Sequence, residues 1–182
     1  MLWKIIINRP SKACMIIIDS LFRKIELQLL MNLTACALDK PARRIWTLPN
    51  EKALQVYAEY TCKHLERNPD KALWQRLNDE AYRMGKRLRK IFYLRKPADI
   101  TRFTFLLYRN IGIQMEGSIP GKICVAKCYF SSHYTPAICQ VASALDDGII
   151  KGIAGDGKLQ FQQRITEGCK CCLATFKNSE EI

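Results

Sequence analysis

Six cysteines, Cys124, Cys128, Cys139, Cys169, Cys171 and Cys172, fall in the last third of this chain, interleaved with Asp146, Asp147, Arg164 and Thr166. Thiols beside carboxylates and a guanidinium can do two kinds of chemistry. A thiolate attacks an electrophilic carbon, or several thiols together hold a soft metal. The plain alternative is a set of core cysteines packing as small hydrophobes. Cys139 lies seven residues before Asp146, about two turns along one helical face, which puts a thiol and a carboxylate on the same stripe. His133 sits in the loop between Cys128 and Cys139, and that loop can fold the first thiol back towards the second.

Positioning these groups requires a helix flanked by strands. Thr135 followed by Pro136 is a helix start, because threonine caps and proline is tolerated at the first helical position. The helix then runs to the glycines at 152 and 155, burying Ile138, Val141, Ala142, Leu145 and Ile149. Upstream, IGIQMEGS and GKICVAKCYF read as two strands joined by a turn. Strand side chains repeat every second residue, so Cys124 and Cys128 are expected on one face. Downstream, KLQFQQRIT and CCLATFK read as two further strands, which places Arg164 and Thr166 on a strand.

The first half reads as helical. A broadly helical stretch from Met15 to Ala37 is broken by Pro41 and Pro49. Asn50 caps the next helix, with Leu54, Tyr57, Ala58 and Cys62 at helical spacing, and Pro69 closes it. From Asp70, Leu73, Trp74, Leu77, Ala81, Met84 and Leu88 form one face of an amphipathic helix that ends by Pro97, and Asp99 or Thr101 opens another. The expected fold class is therefore α+β: a helical N-terminal half packed on a small antiparallel sheet that carries one inserted helix. A length of 182 residues with 48% hydrophobic content fits a single domain, 1–182. Within it, 1–30 reads as an N-terminal amphipathic extension and 113–177 as the cysteine-rich part that carries the site.

Nine cysteines form an odd set, and the start of the chain lacks the pattern of a cleaved leader, so free thiols in a reducing cytoplasm are expected. No stretch approaches the ~20 apolar residues of a membrane span. The formal net charge of +12 is concentrated between Arg83 and Lys96, where Arg83, Lys86, Arg87, Arg89, Lys90, Arg95 and Lys96 occur without an acid. Such a run can meet an anionic surface, lipid or nucleic acid, or it can be a solvated helix face.

The pattern Cys128-Tyr129-Phe130, then Cys139 with Asp146, then Arg164-Ile165-Thr166-Glu167-Gly168 followed by Cys172 and Phe176, resembles the bacterial L-2-amino-thiazoline-4-carboxylic acid hydrolase family. The resemblance covers roughly the last 60 residues, and it departs where Leu173 and Ala174 follow Cys172. It implies hydrolytic opening of a small ring containing sulfur and nitrogen in a cysteine-related metabolite. An amidine-like ring carbon would be attacked by water or by a thiolate, with Cys128 or Cys139 as nucleophile or ligand. Asp146 would be the acid or base, and Arg164 would pair with the substrate carboxylate. Thr166 and His133 join Arg164 as substrate-binding candidates.

Two other classes stay open. The same tail faintly resembles the cysteine-rich iron-dependent carotenoid isomerases, which implies a metal held by Cys128, Cys139 and Cys172, with iron or zinc as the candidates. The basic run supports the third class, an adaptor that binds a membrane surface or nucleic acid. The sequence names no cofactor and leaves the oligomeric state open.

Overall fold

The computed structural model describes residues 12–65 and 71–179, with side chains from Ser20 onward, and the first described helix is α1 (Lys12–Ala37). It is followed by α2 (Asn50–Leu65), α3 (Lys71–Ile91) and α4 (Pro97–Asn110). Then come β1 (Ile113–Gly117), β2 (Gly121–Cys128), a 3-10 turn at Tyr129–Ser132, and α5 (Pro136–Ala154). Strand β3 (Lys158–Gln163), a second 3-10 turn at Ile165–Glu167 and β4 (Cys172–Lys177) complete it. The expected α+β architecture is present, with α5 as the inserted helix. The proposed helix boundary at Pro69 and Asp70 and the first residues of the N-terminal extension lie outside the described residues.

The four strands form one antiparallel sheet in the order β1-β2-β4-β3. Its inner face buries Ile123 and Val125 of β2, Leu159 of β3 and Ala174 and Phe176 of β4. On α5, Thr135 Oγ1 accepts the Ile138 N–H at 3.3 Å and Pro136 takes the first turn, as the sequence indicates. Gly155 ends this helix in the left-handed region at φ 114°, a conformation that favours glycine. Gly152 does not end it. A Cβ at Gly152 would meet the backbone of Tyr82 and Lys86, and one at Gly148 would meet Asn78 O, so α5 presses its glycines against α3. Small residues here let the two backbones approach closely, and this contact is the most extensive between elements.

Within the stretch assigned to an extension, Leu27 and Leu30 of α1 are buried in the common core. Proline opens α4 directly, two residues earlier than Asp99, since Pro97 occupies the first turn. Arg164 follows the end of β3 and Thr166 lies on the 3-10 turn, so neither is a strand residue. No helix among the described residues is long and apolar enough to cross a membrane.

A register irregularity in β2 decides where its thiols face. Gln114 pairs with Lys127 and Met115 with Val125, leaving Ala126 as an extra residue. A bulge of this kind resets the alternation of a strand by one position. Cys124 therefore faces outward while Cys128 turns inward, which corrects the single-face expectation.

Candidate functional site

A cavity of about 90 Å³ lies between the helices and the start of the sheet. All five described helices contribute to its wall: Glu26 and Leu30 from α1, Tyr57 from α2, Met84 from α3, Tyr108 from α4, and Cys139, Ala142, Asp146 and Ile149 from α5. Ile113, Cys128, Phe130, Ser131 and Thr166 close it from the sheet side. That volume holds several waters or one small molecule. Its wall is mostly apolar with a few convergent polar groups, as small-molecule sites generally are.

Asp146 and Cys139 face this cavity from one stripe of α5, as their spacing indicates. The Tyr108 hydroxyl donates to Asp146 Oδ1 at 3.0 Å. Burial lifts the Asp146 carboxyl to about 6, and Asp147 adds to that, while the Tyr108 hydrogen bond and the Arg164 guanidinium pull it down. Glu26, 7% exposed, accepts a hydrogen bond from Asn110 Nδ2 at 3.2 Å through Oε2. Burial lifts its carboxyl to about 8, with the Asn110 hydrogen bond and Arg23 opposing. At neutral pH the first carboxyl is mainly ionised and the second mainly protonated.

The thiols are in the opposite condition from reactive cysteines. Burial pushes the Cys128 thiol up to about 12 despite the backbone N–H groups of Phe130 and Ser131 that favour its anion. Burial also raises Cys139, against the nearby Thr166 hydroxyl and Arg164. Thr166 Oγ1 is buried with no hydrogen-bond partner. Cys172 is buried behind the turn and takes the Ile165 N–H on its sulfur at 3.3 Å; burial, again the main cause, raises its thiol.

Arg164 stands beside the cavity and does not line it. Its guanidinium lies 4.1 Å from the Phe161 ring centroid, donates to Ser143 Oγ at 3.3 Å and approaches Glu167 at 3.7 Å. It acts on the cavity groups through its charge. His133 is exposed and stacks on Tyr129, with ring centroids 5.0 Å apart, so the loop places it away from the cavity. Asp147 faces the opposite way from Asp146: its Oδ2 accepts Asn78 Nδ2 and its Oδ1 accepts the Leu159 N–H, each at 2.7 Å. Cys36, Cys124, Cys128, Cys139, Cys169, Cys171 and Cys172 are all outside disulfides. Among the described residues no three His, Cys, Asp or Glu side chains converge to hold a metal ion, so Cys128, Cys139 and Cys172 do not assemble the expected ligand set.

The basic run occupies the second half of α3 and the turn after it. Arg83 pairs with Glu80, Lys86 lies over the Tyr82 ring at 5.4 Å, and Arg87 and Lys90 are exposed. Arg89 packs over Gly155.

Glu26, Tyr108 and Tyr57 are the cavity groups that the sequence reading missed. A signal existed for the first. Glu26 sits beside Leu27 and one turn before Leu30, where an isolated acid interrupts an otherwise apolar helical stripe. Set against known proteins, the chain matches no family model and no curated protein.

Proposed function

We propose that the cavity is a hydrolytic site for a small cyclic amidine, opening a ring C–N bond. The observation that carries this reading is the pair of cavity carboxyls whose surroundings separate their proton affinities, Asp146 at about 6 and Glu26 at about 8. Two titratable groups pushed apart in this way supply a base and an acid at the same pH. Asp146, oriented by Tyr108, takes a proton from water as the water oxygen bonds to the ring carbon. Glu26 gives its proton to the departing nitrogen as the C–N bond breaks. Cys128 and Cys139 remain protonated and offer polarisable walls to a ring sulfur.

Water is thus the preferred nucleophile over a thiolate. A carboxylate on the substrate would find no cation in the cavity wall, because Arg164 is held by Ser143, Phe161 and Glu167. The reading is therefore strongest for a neutral or cationic amidine ring, and the carboxylate-bearing aminothiazoline is the second compound to try.

The test is turnover of 2-aminothiazoline, its 4-carboxylate and a sulfur-free cyclic amidine, followed by mass spectrometry of the ring-opened product. The expected result is hydrolysis of at least one ring, reduced by about 10²–10⁴ in Asp146→Asn. Absence of turnover with all three, together with no ligand-induced rise in melting temperature, overturns the proposal.

A further inference from the structure

The outer face of the sheet carries a second pair of thiols that the cavity does not use. Cys124 of β2 is paired with Leu173 of β4, and Leu173 is exposed. Cys171 lies two positions before Leu173 and therefore turns to the same face, diagonally across from Cys124. Both sulfurs are free and partly exposed. The Cys124 side chain lies against that of Cys171, and Gln163, from the neighbouring strand, donates its Nε2–H to Cys171 Sγ at 3.5 Å and to Cys171 O at 3.2 Å.

The Gln163 N–H thus points at the Cys171 sulfur, and Cys124 lies against the same side chain. Contact with Cys171 is the first cause of the raised proton affinity of Cys124, with slight burial, the charge of Cys171 and that of Glu116 adding. The Cys124 thiol therefore keeps a proton to give away. Cys169 is also close in sequence but no such contact joins it to Cys124.

We propose that Cys124 and Cys171 form an oxidation site at which a peroxide closes a disulfide between β2 and β4. The Cys171 thiolate attacks one peroxide oxygen; the O–O bond breaks, giving a sulfenic acid at Cys171 and, after protonation, water. The Cys124 sulfur then attacks the sulfenic sulfur, the S–O bond breaks, and a second water departs with the remaining proton. Two thiols and one hydrogen peroxide become one disulfide and two waters. A dithiol reductant reverses the bond by exchange. The site is independent of the cavity chemistry and holds whether or not the cavity turns over an amidine.

The experiment exposes the reduced, full-length protein to one equivalent of hydrogen peroxide, alkylates the remaining thiols, and maps peptides without reduction. The expected product is a monomer that has lost two hydrogens, with Cys124 linked to Cys171. The link survives in Cys169→Ser, disappears in Cys171→Ser, and opens with dithiothreitol. Cys36→Ser, at an exposed and distant thiol, keeps the link and controls for handling. Disulfides between other cysteines, links between chains, or full alkylation of both Cys124 and Cys171 after peroxide overturns the proposal. A circular dichroism spectrum of Cys171→Ser matching the parent excludes misfolding as the reason for a lost link.

Discussion

Asp146 and Asp147 are adjacent in the chain and take opposite roles, because successive helical residues point about 100° apart. Asp147 is a buried clamp that holds α3 and the start of β3 to α5 through Asn78 and the Leu159 N–H. Both of its oxygens accept from donors, so Asp147→Asn turns an amide N–H towards one of them and is expected to destabilise the fold by about 1–3 kcal/mol in urea titration. Asp146→Asn keeps an acceptor for Tyr108 and is expected to cost turnover and little stability. The pH profile separates the cavity acids further. Activity should rise as Asp146 ionises through about 6 and fall as Glu26 loses its proton through about 8. Tyr108→Phe removes a hydrogen bond that lowers Asp146, so the acid limb should move to higher pH, which steady-state rates across the range will measure. That Cys139 and Asp146 share one face of α5 was legible from the sequence, because spacing on one helix fixes a stripe. Glu26 was marked only as an acid in an apolar stripe, and its place in the cavity was hidden because its hydrogen-bond partner Asn110 comes from more than 80 residues away.

Among the elements, the ends of α5 could be read directly, whereas Asn50, expected to cap α2, lies within that helix with its Oδ1 unpartnered, and two further local departures were hidden. Thr135, Pro136 and Gly155 mark the ends of α5 by chemistry that belongs to those residues. Gly152 carries the same letter as a terminator, yet its role is set by α3 across the interface. Gly152→Ala therefore pushes a methyl into the backbone of Tyr82 and Lys86 and is expected to cost about 1–3 kcal/mol, measured by chemical denaturation. The bulge at Ala126 was equally hidden, because an extra residue in a strand depends on the register chosen by its partner. Removing Ala126 takes out the extra residue and leaves Lys127 outward and Cys128 inward, so simple alternation is restored with Cys128 on the same inner face. Timed alkylation with peptide mapping is expected to find Cys128 as protected in this variant as in the parent.

At the scale of the whole molecule, the cavity acids couple folding to pH. Glu26 binds its proton more tightly in the fold, at about 8 against an ordinary 4.5. The folded state therefore holds more protons than the unfolded one between those values. Its stabilising share is complete below about 4.5 and is lost as pH rises through about 8, with Asp146 adding the same trend at lower pH. Glu26→Gln should flatten this decline, leaving the variant more stable than the parent by a few kcal/mol above about pH 8, as denaturation at several pH values will show. The wall of that cavity draws on all five described helices. A molecule bound inside therefore recognises only the fully assembled chain, and by mass action its affinity becomes fold stability, about 2.7 kcal/mol at a hundredfold excess over Kd. Melting curves across a library of small polar rings can consequently find the natural occupant with no reaction having to be guessed beforehand.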